Sequence, residues 1–378
     1  MERRRFLAAA GVGAGAAMAQ QSGAAAAAAQ SLFDGKTLAG WHVEEGPESA
    51  FYVDDGAIVV SESANYPAWL RSDREYENFH LYGEFFVKGW IDSGVYIHAP
   101  RHGRNSWEGI QIKVFHQRDE KPMSNSMGSL FPLVAPKTVN VKNQGQWNTF
   151  QIHMDWPALK VWINDELVQD VNLEAMPEFR YRLRRGYIGL ASLSYPVRFR
   201  GLRVEPLADK ERWDSLYTQA SDLESKWFVS EGKPAFKALG NVMRADGSGL
   251  LSTKEKYRDF ELRMYVRGMK EHNGGVCFRS GGGSRATHYE IQLHDVEEAH
   301  YPTGSLYHIK RAVYPKIAPE QWFPYHMIVK DKHCIVRVNG DLVMEYDALD
   351  NLAEGFIELQ AHRQGYWLEY KDIRIKRL

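Results

Sequence analysis

Apolar and polar residues alternate with a period of two through short runs along most of this chain: "AIVVS", "HLYGEFFVK", "GVYIHA", "GIQIKVF", "TFQIHMDW", "LKVWIND" and "RFRGLRV" in its first half alone. That period belongs to β-strands with one buried face. Turn signals separate the runs, among them Asn164–Asp165 and Asn339–Gly340, where hairpin turns belong. Helical periodicity is nearly absent. The pattern predicts an all-β fold of sandwich type, in which one face of each sheet packs on its partner and the other meets water or a ligand.

The same pattern occurs twice. "LRSDREYENFHLYGEFFV" from Leu70 matches "LSTKEKYRDFELRMYVR" from Leu251, and "SGVYIH" from Ser93 matches "GGVCFR" from Gly274. "MGSLF", "QWNTFQI" and "VWINDELV" then match "TGSLY", "QWFPYHM" and "VRVNGDLV" at a slightly shorter separation, as insertions in loops produce. Two homologous units are expected, residues 31–206 and 227–378, with the charged stretch 207–226 as a linker or short helix. Residues 1–30 stand apart. A basic start, an Ala/Gly-rich apolar run and small residues read as an export signal, and Arg3, Arg4, Phe6 and Leu7 fit the twin-arginine pattern. Cleavage is expected after Ala19 or Ala29. The "GVGAG" glycines lie inside this leader without a preceding strand, so they are no dinucleotide loop. The mature protein is expected to be periplasmic or secreted, with no membrane span.

Composition excludes some classes. The formal net charge of −1 lacks the excess of Lys and Arg that a nucleic-acid binder needs to offset phosphate. Eleven Trp and 19 Tyr suit a β-rich protein and also a surface that stacks on sugar rings. The two cysteines, Cys277 and Cys334, could pair, but the chain does not depend on a disulfide framework, and Cys334, in the apolar "HCIVRV", reads more simply as a buried free thiol.

The landmarks "SLFDGKTLAGWHV", "YRDFELRMYVR", "GGVCFR", "YEIQLHD", "TGSLY", "QWFPYHMIVK", "VRVNGDLV" and the closing "YKDIRIKRL" resemble the 3-keto-disaccharide hydrolase family, long called domain of unknown function 1080. The resemblance covers nearly all of the mature chain as two copies. It implies two tandem concanavalin-like jelly-roll sandwiches, and cleavage of glycosides whose sugar is already oxidised at C3. A partner sugar 3-dehydrogenase would supply that ketone. A ketone at C3 acidifies the C2 hydrogen, so the chemistry needs a base at C2, donors or positive charge at O3 and an acid for the leaving oxygen.

The second unit offers such groups. Glu290, Asp295, His362, Arg279 and Lys254 are the candidate catalytic set, with Gln292, His294 and Tyr307 on the substrate; of these, Arg279, Glu290, Asp295 and His362 match polar motif positions of the family the chain resembles. No spacing has the strength of a metal motif, and no cofactor is certain; Glu290, Asp295 and His362 are the candidate ligands should a divalent ion bind. Within the chain, the first unit breaks the pattern. Lys254 falls opposite Asp73, Arg279 opposite His98, Glu290 opposite Gly109, Asp295 opposite Val114, Tyr307 opposite Phe131, and His362 near Leu193. The second unit is therefore expected to hold the site. In the first, the loop "IHAPRHGRNSWEG" offers His98 and Trp107 as further substrate contacts. The competing expectation is a carbohydrate-binding protein without catalysis, since a sandwich of this kind can bind glycans and do no more.

Overall fold

The computed structural model describes residues 29–62, 68–116, 121–142, 144–193, 195–233, 235–283 and 289–378. The expected export signal, apart from its last two residues, lies outside them. Among the described residues no helix is long and apolar enough to cross a membrane.

The chain folds as two tandem jelly-roll β-sandwiches, each an antiparallel back sheet packed on an antiparallel front sheet. In the first unit the back sheet has eight strands and the front sheet six; in the second they have eight and five. The alternation seen in sequence sets the faces. In strand Phe260–Gly268, Phe260, Leu262, Met264 and Val266 enter the core, while Arg263, Tyr265 and Arg267 point outward. In strand Phe79–Val87, Phe79, Leu81, Phe85 and Val87 do the same for the first unit. Each unit thus has its own hydrophobic core.

Segment 207–226 joins the second sandwich. Strand Asp214–Tyr217 pairs with the closing strand Leu368–Arg377, and the short helix Asp222–Lys226 follows. The outer face of the second unit's back sheet packs against the first unit. The Arg101 amide donates to the Tyr265 hydroxyl at 2.8 Å, Arg104 to the Asn339 carbonyl at 2.8 Å, and Arg374 to Glu75 at 2.9 Å. Arg337, buried in this seam, donates to the carbonyls of Tyr181 and Gly340. The second unit's front sheet, on the other side of its sandwich, is left facing outward.

The two front sheets share one strand order, to which the first adds a two-residue edge strand, Leu130–Phe131; their register differs from the one expected. Val276 pairs with Ile291 in the second unit and Val95 with Ile112 in the first. The Gln292 amide bonds Ser305 and its carbonyl accepts from Gly304, at 2.9 and 2.8 Å; Lys113 makes the same two bonds to Ser129 and Gly128, at 3.0 and 2.9 Å. Glu290 therefore stands where the first unit has Gln111, not Gly109, and Gln292 where it has Lys113. His294 corresponds to Phe115, and Asp295 to His116 rather than Val114. The slip is two residues. It preserves which side chains face out, so alternation cannot reveal it; only hydrogen-bond partners do.

Candidate functional site

Strand Tyr289–His294 turns Ile291 and Leu293 into the core and Glu290, Gln292 and His294 outward. Beside it, strand Asn273–Ser280 begins with Asn273, and strand Gly355–Ala361 contributes Gln360 and delivers His362 just past its end. The loop from Ala299 to His308 closes the other side. Together these residues line an open cleft of about 1070 Å³ on the front face of the second sandwich.

Local packing fixes the polar groups. The Glu290 side chain lies across Gly275, where a Cβ would stand 2.2 Å from its Oε1. The glycine is what lets the carboxylate cross the neighbouring strand. Gln292 Nε2 donates to Asn273 Oδ1 at 2.7 Å and to the Gly274 carbonyl at 3.2 Å. Burial holds His294 below the ordinary imidazole range, and the charge of nearby His362 adds to this, against the pull of Asp295. His294 is thus neutral at neutral pH, with an N–H to donate. His362 sits exposed at the rim. Tyr307 is 40% exposed and donates its amide to the Glu290 carbonyl at 2.9 Å. Its ring lies 5.3 Å from Tyr301 and 4.0 Å from His308, forming an aromatic wall opposite the carboxylate.

Five predicted residues therefore share the cleft: Glu290, Gln292, His294, Tyr307 and His362. Five others do not. Asp295 points out of the cleft, accepts from the Tyr314 hydroxyl at 2.7 Å and lines a separate small space with His272. Lys254 is exposed and bonds the Glu224 carbonyl at 2.7 Å. Arg279 is 1% exposed and spans four acceptors, the carbonyls of Arg258, Asn351 and Asp331 and the Asp259 carboxylate. It is a brace between loops, with a left-handed backbone at φ 49°. His98 shares that conformation at φ 51°, is fully buried and meets the Glu77 carbonyl at 2.7 Å, the counterpart of Arg279 on Arg258. Trp107 lies in the seam against Gly340. Among the described residues no three His, Cys, Asp or Glu side chains stand together as a metal-ligand set, so Glu290, Asp295 and His362 are not assembled into one.

The cleft also includes Asn273, Gln360, His300, Tyr301 and His308, which sequence reasoning missed. The density of His and Tyr in "AHYPTGSLYH" was the available signal. A further carboxylate, Glu358, is fully buried on the same face, in one row across the sheet with Ser252, Cys277 and Glu290. Its Oε1 accepts from Ser252, Ser230 and the Gly283 amide, which anchors the start of the loop leading to the Glu290 strand. Both cysteines are free and buried, and burial, with Glu290 and Glu358 beside it, pushes the Cys277 thiol well up.

At the equivalent positions the first unit carries Gln111, Lys113, Phe115, Phe131 and Leu193. Lys113 is buried, paired with Asp92 at 2.5 Å and 4.1 Å from the Phe131 ring centre. The acid, the amide and both imidazoles are gone.

A family model for the 3-keto-alpha-glucoside-1,2-lyase-like domain matches residues 28–205 and again 209–376. The chain belongs to this family. The two matches coincide with the two sandwiches, so the cleft and its altered counterpart lie at one position of one domain used twice. No curated protein matches the chain. Solved structures align with about half of it. A "putative glycosyl hydrolase" from Parabacteroides distasonis ATCC 8503 is 16% identical, covering 48% of this chain and 94% of its own, with a TM-score of 0.42. The carbohydrate-binding module CBM66 from Bacillus subtilis is 13% identical, covering 44% and 95%, with a TM-score of 0.33.

Proposed function

We propose that the protein cleaves glycosides of 3-keto sugars in the cleft of its second sandwich. The observation that carries this reading is the convergence of Glu290, His294, His362 and Tyr307 on one open cleft, set against their replacement by Gln111, Phe115, Leu193 and Phe131 in the first unit. The scaffold persists without the chemistry, which is what a catalytic cleft and its altered duplicate look like. Glu290 is the base that takes the C2 proton. Neutral His294 donates to O3, where charge develops as the enolate forms. The C1–O bond then breaks, and His362 at the rim gives the leaving oxygen its proton. Water adds to C1 of the enone and C2 regains a proton, so the net reaction is hydrolysis. Tyr307 and Tyr301 stack on a sugar face. Arg279 and Lys254 have no part in these steps.

The reading includes export by the twin-arginine route and a partner sugar 3-dehydrogenase that forms the ketone. It is tested with a chromogenic aryl 3-keto-glucoside and its unoxidised parent. Release of the phenol from the ketone alone is the expected result. Binding of the parent with no turnover of either compound would make this a carbohydrate-binding protein.

A further inference from the structure

Gln292 and Asn273 are neighbours in the lining of the cleft, one on strand Tyr289–His294 and the other at the start of strand Asn273–Ser280. Their own hydrogen bonds orient the two amides. Gln292 meets the Gly274 carbonyl at 3.2 Å and the Asn273 side chain at 2.7 Å through one atom. A carbonyl can only accept, so that atom is the NH2 group, Nε2. The Asn273 atom facing the same NH2 must then be the acceptor, Oδ1. Both hydrogens of Gln292 Nε2 are thereby used. Gln292 Oε1, an acceptor, and Asn273 Nδ2, a donor, are left over. Neither has a hydrogen-bond partner among the described residues, and neither is shut off from solvent.

The pair adjoins the carboxylate. Gln292 is the cross-strand partner of Gly275, and the Glu290 side chain lies over that glycine. In the first unit both members of the pair change together. Asp92 and Lys113 take the two places and close on each other as an ion pair at 2.5 Å. The two positions thus behave as a unit, turned on each other in the first sandwich and keeping one acceptor and one donor spare in the second. A hydroxyl has one proton to give and lone pairs to accept with, so a single hydroxyl can satisfy both spare atoms.

We propose that Gln292 and Asn273 determine specificity in the cleft by reading the hydroxyl at C2 of the 3-keto sugar, which donates to Gln292 Oε1 and accepts from Asn273 Nδ2. The proposal rests on the reading that Glu290 takes the C2 proton: the substituent sharing C2 with that proton is the hydroxyl, and the polar group beside the base is this amide pair. The substrates are then 3-keto sugars with a free 2-hydroxyl. A 2-deoxy analogue leaves the acceptor and the donor without their partner in the transition state, and a site built to bond a hydroxyl discriminates against the compound that lacks it.

The test compares an aryl 3-keto-glucoside with its 2-deoxy counterpart, as kcat/KM for the wild-type chain and for Asn273→Asp. The variant keeps an acceptor for Gln292 Nε2 and turns the cleft-facing donor into an acceptor, in a side chain of the same shape. Any intrinsic difference in reactivity between the substrates cancels when the two preferences are compared. Preference for the hydroxylated substrate is expected to fall at least about tenfold in the variant, because its rate drops while that of the 2-deoxy compound holds. Should Asn273→Asp not fold, Asn273→Ala carries the same expectation. An unchanged preference, whatever the absolute rates, would overturn the proposal. Cleavage of neither substrate by the wild type would instead remove the reading on which the proposal rests; the same comparison is then made by titration calorimetry with the unoxidised glucoside and its 2-deoxy counterpart. Weaker binding of the 2-deoxy compound, levelled in Asn273→Asp, would sustain the amide pair as a reader of the hydroxyl. Equal binding of the two by the wild type, or binding of neither, would overturn it.

Discussion

At the scale of single residues, two positions separate chemistry from scaffolding. Gly275 has no left-handed backbone, and the nearest atoms an added Cβ meets are those of the Glu290 side chain. Gly275→Ala is expected to displace the carboxylate and cut kcat on a 3-keto-glucoside by about tenfold or more, with little change in melting temperature. Steady-state kinetics beside a melting curve check this. Arg279 should behave in the opposite way. It is a buried charge with four acceptors and an ion pair to Asp259, and removing one partner of such a pair costs about 3–5 kcal/mol. Arg279→Ala should lower unfolding free energy by about that amount in urea titrations. Where it still folds, kcat should be close to normal. The sequence did not distinguish these roles, because an Arg at the end of a strand reads alike whether it binds substrate or ties loops together. Its first-unit counterpart held the clue: His98 keeps the contact to the same turn with a different side chain.

At the scale of elements, the strands, the duplication and the polar face of Tyr289–His294 were legible, because alternation and self-similarity are properties of the chain itself. The register between copies was not. The shared Gln111 and Gln292 suggested one alignment, yet a slip of two residues leaves every inward and outward position unchanged. The loop residues His300, Tyr301 and His308 escaped because loops carry no period. The corrected register makes a sharp prediction. Replacing Asn273, Glu290, Gln292 and His294 by the first unit's Asp, Gln, Lys and Phe should give a folded protein, since the same strand pairings already hold these residues. The expected outcome is a melting temperature within a few degrees of the wild type and no cleavage of the keto substrate.

For the whole molecule, two buried histidines make stability depend on pH. Burial pushes both His98 and His326 down to about 4 from the usual 6.5, the Glu77 backbone and Glu261 notwithstanding. A histidine whose folded value is depressed binds fewer protons folded than unfolded. Its contribution is fully present above the unfolded value and is lost as pH falls toward the folded one. Each imidazole then accounts for about 3 kcal/mol. Unfolding free energy, measured in urea from pH 7 to pH 4, should decline steadily, and His98→Gln should flatten that slope. The seam also explains why a unit without its own cleft chemistry has a structural part: Arg337, Arg104 and Arg374 fasten it to the sheet behind the cleft.

The central claim is that Glu290 in the second sandwich removes the C2 proton of a 3-keto-glycoside. The most direct measurement is cleavage of an aryl 3-keto-glucoside in deuterated water by wild type and Glu290→Gln, with deuterium at C2 of the released sugar read by mass spectrometry. The account predicts rapid cleavage with C2 labelling in the wild type, and a loss of about 10²–10⁴ in kcat for the folded variant. Undiminished cleavage by Glu290→Gln, or cleavage that leaves C2 unlabelled, would contradict it.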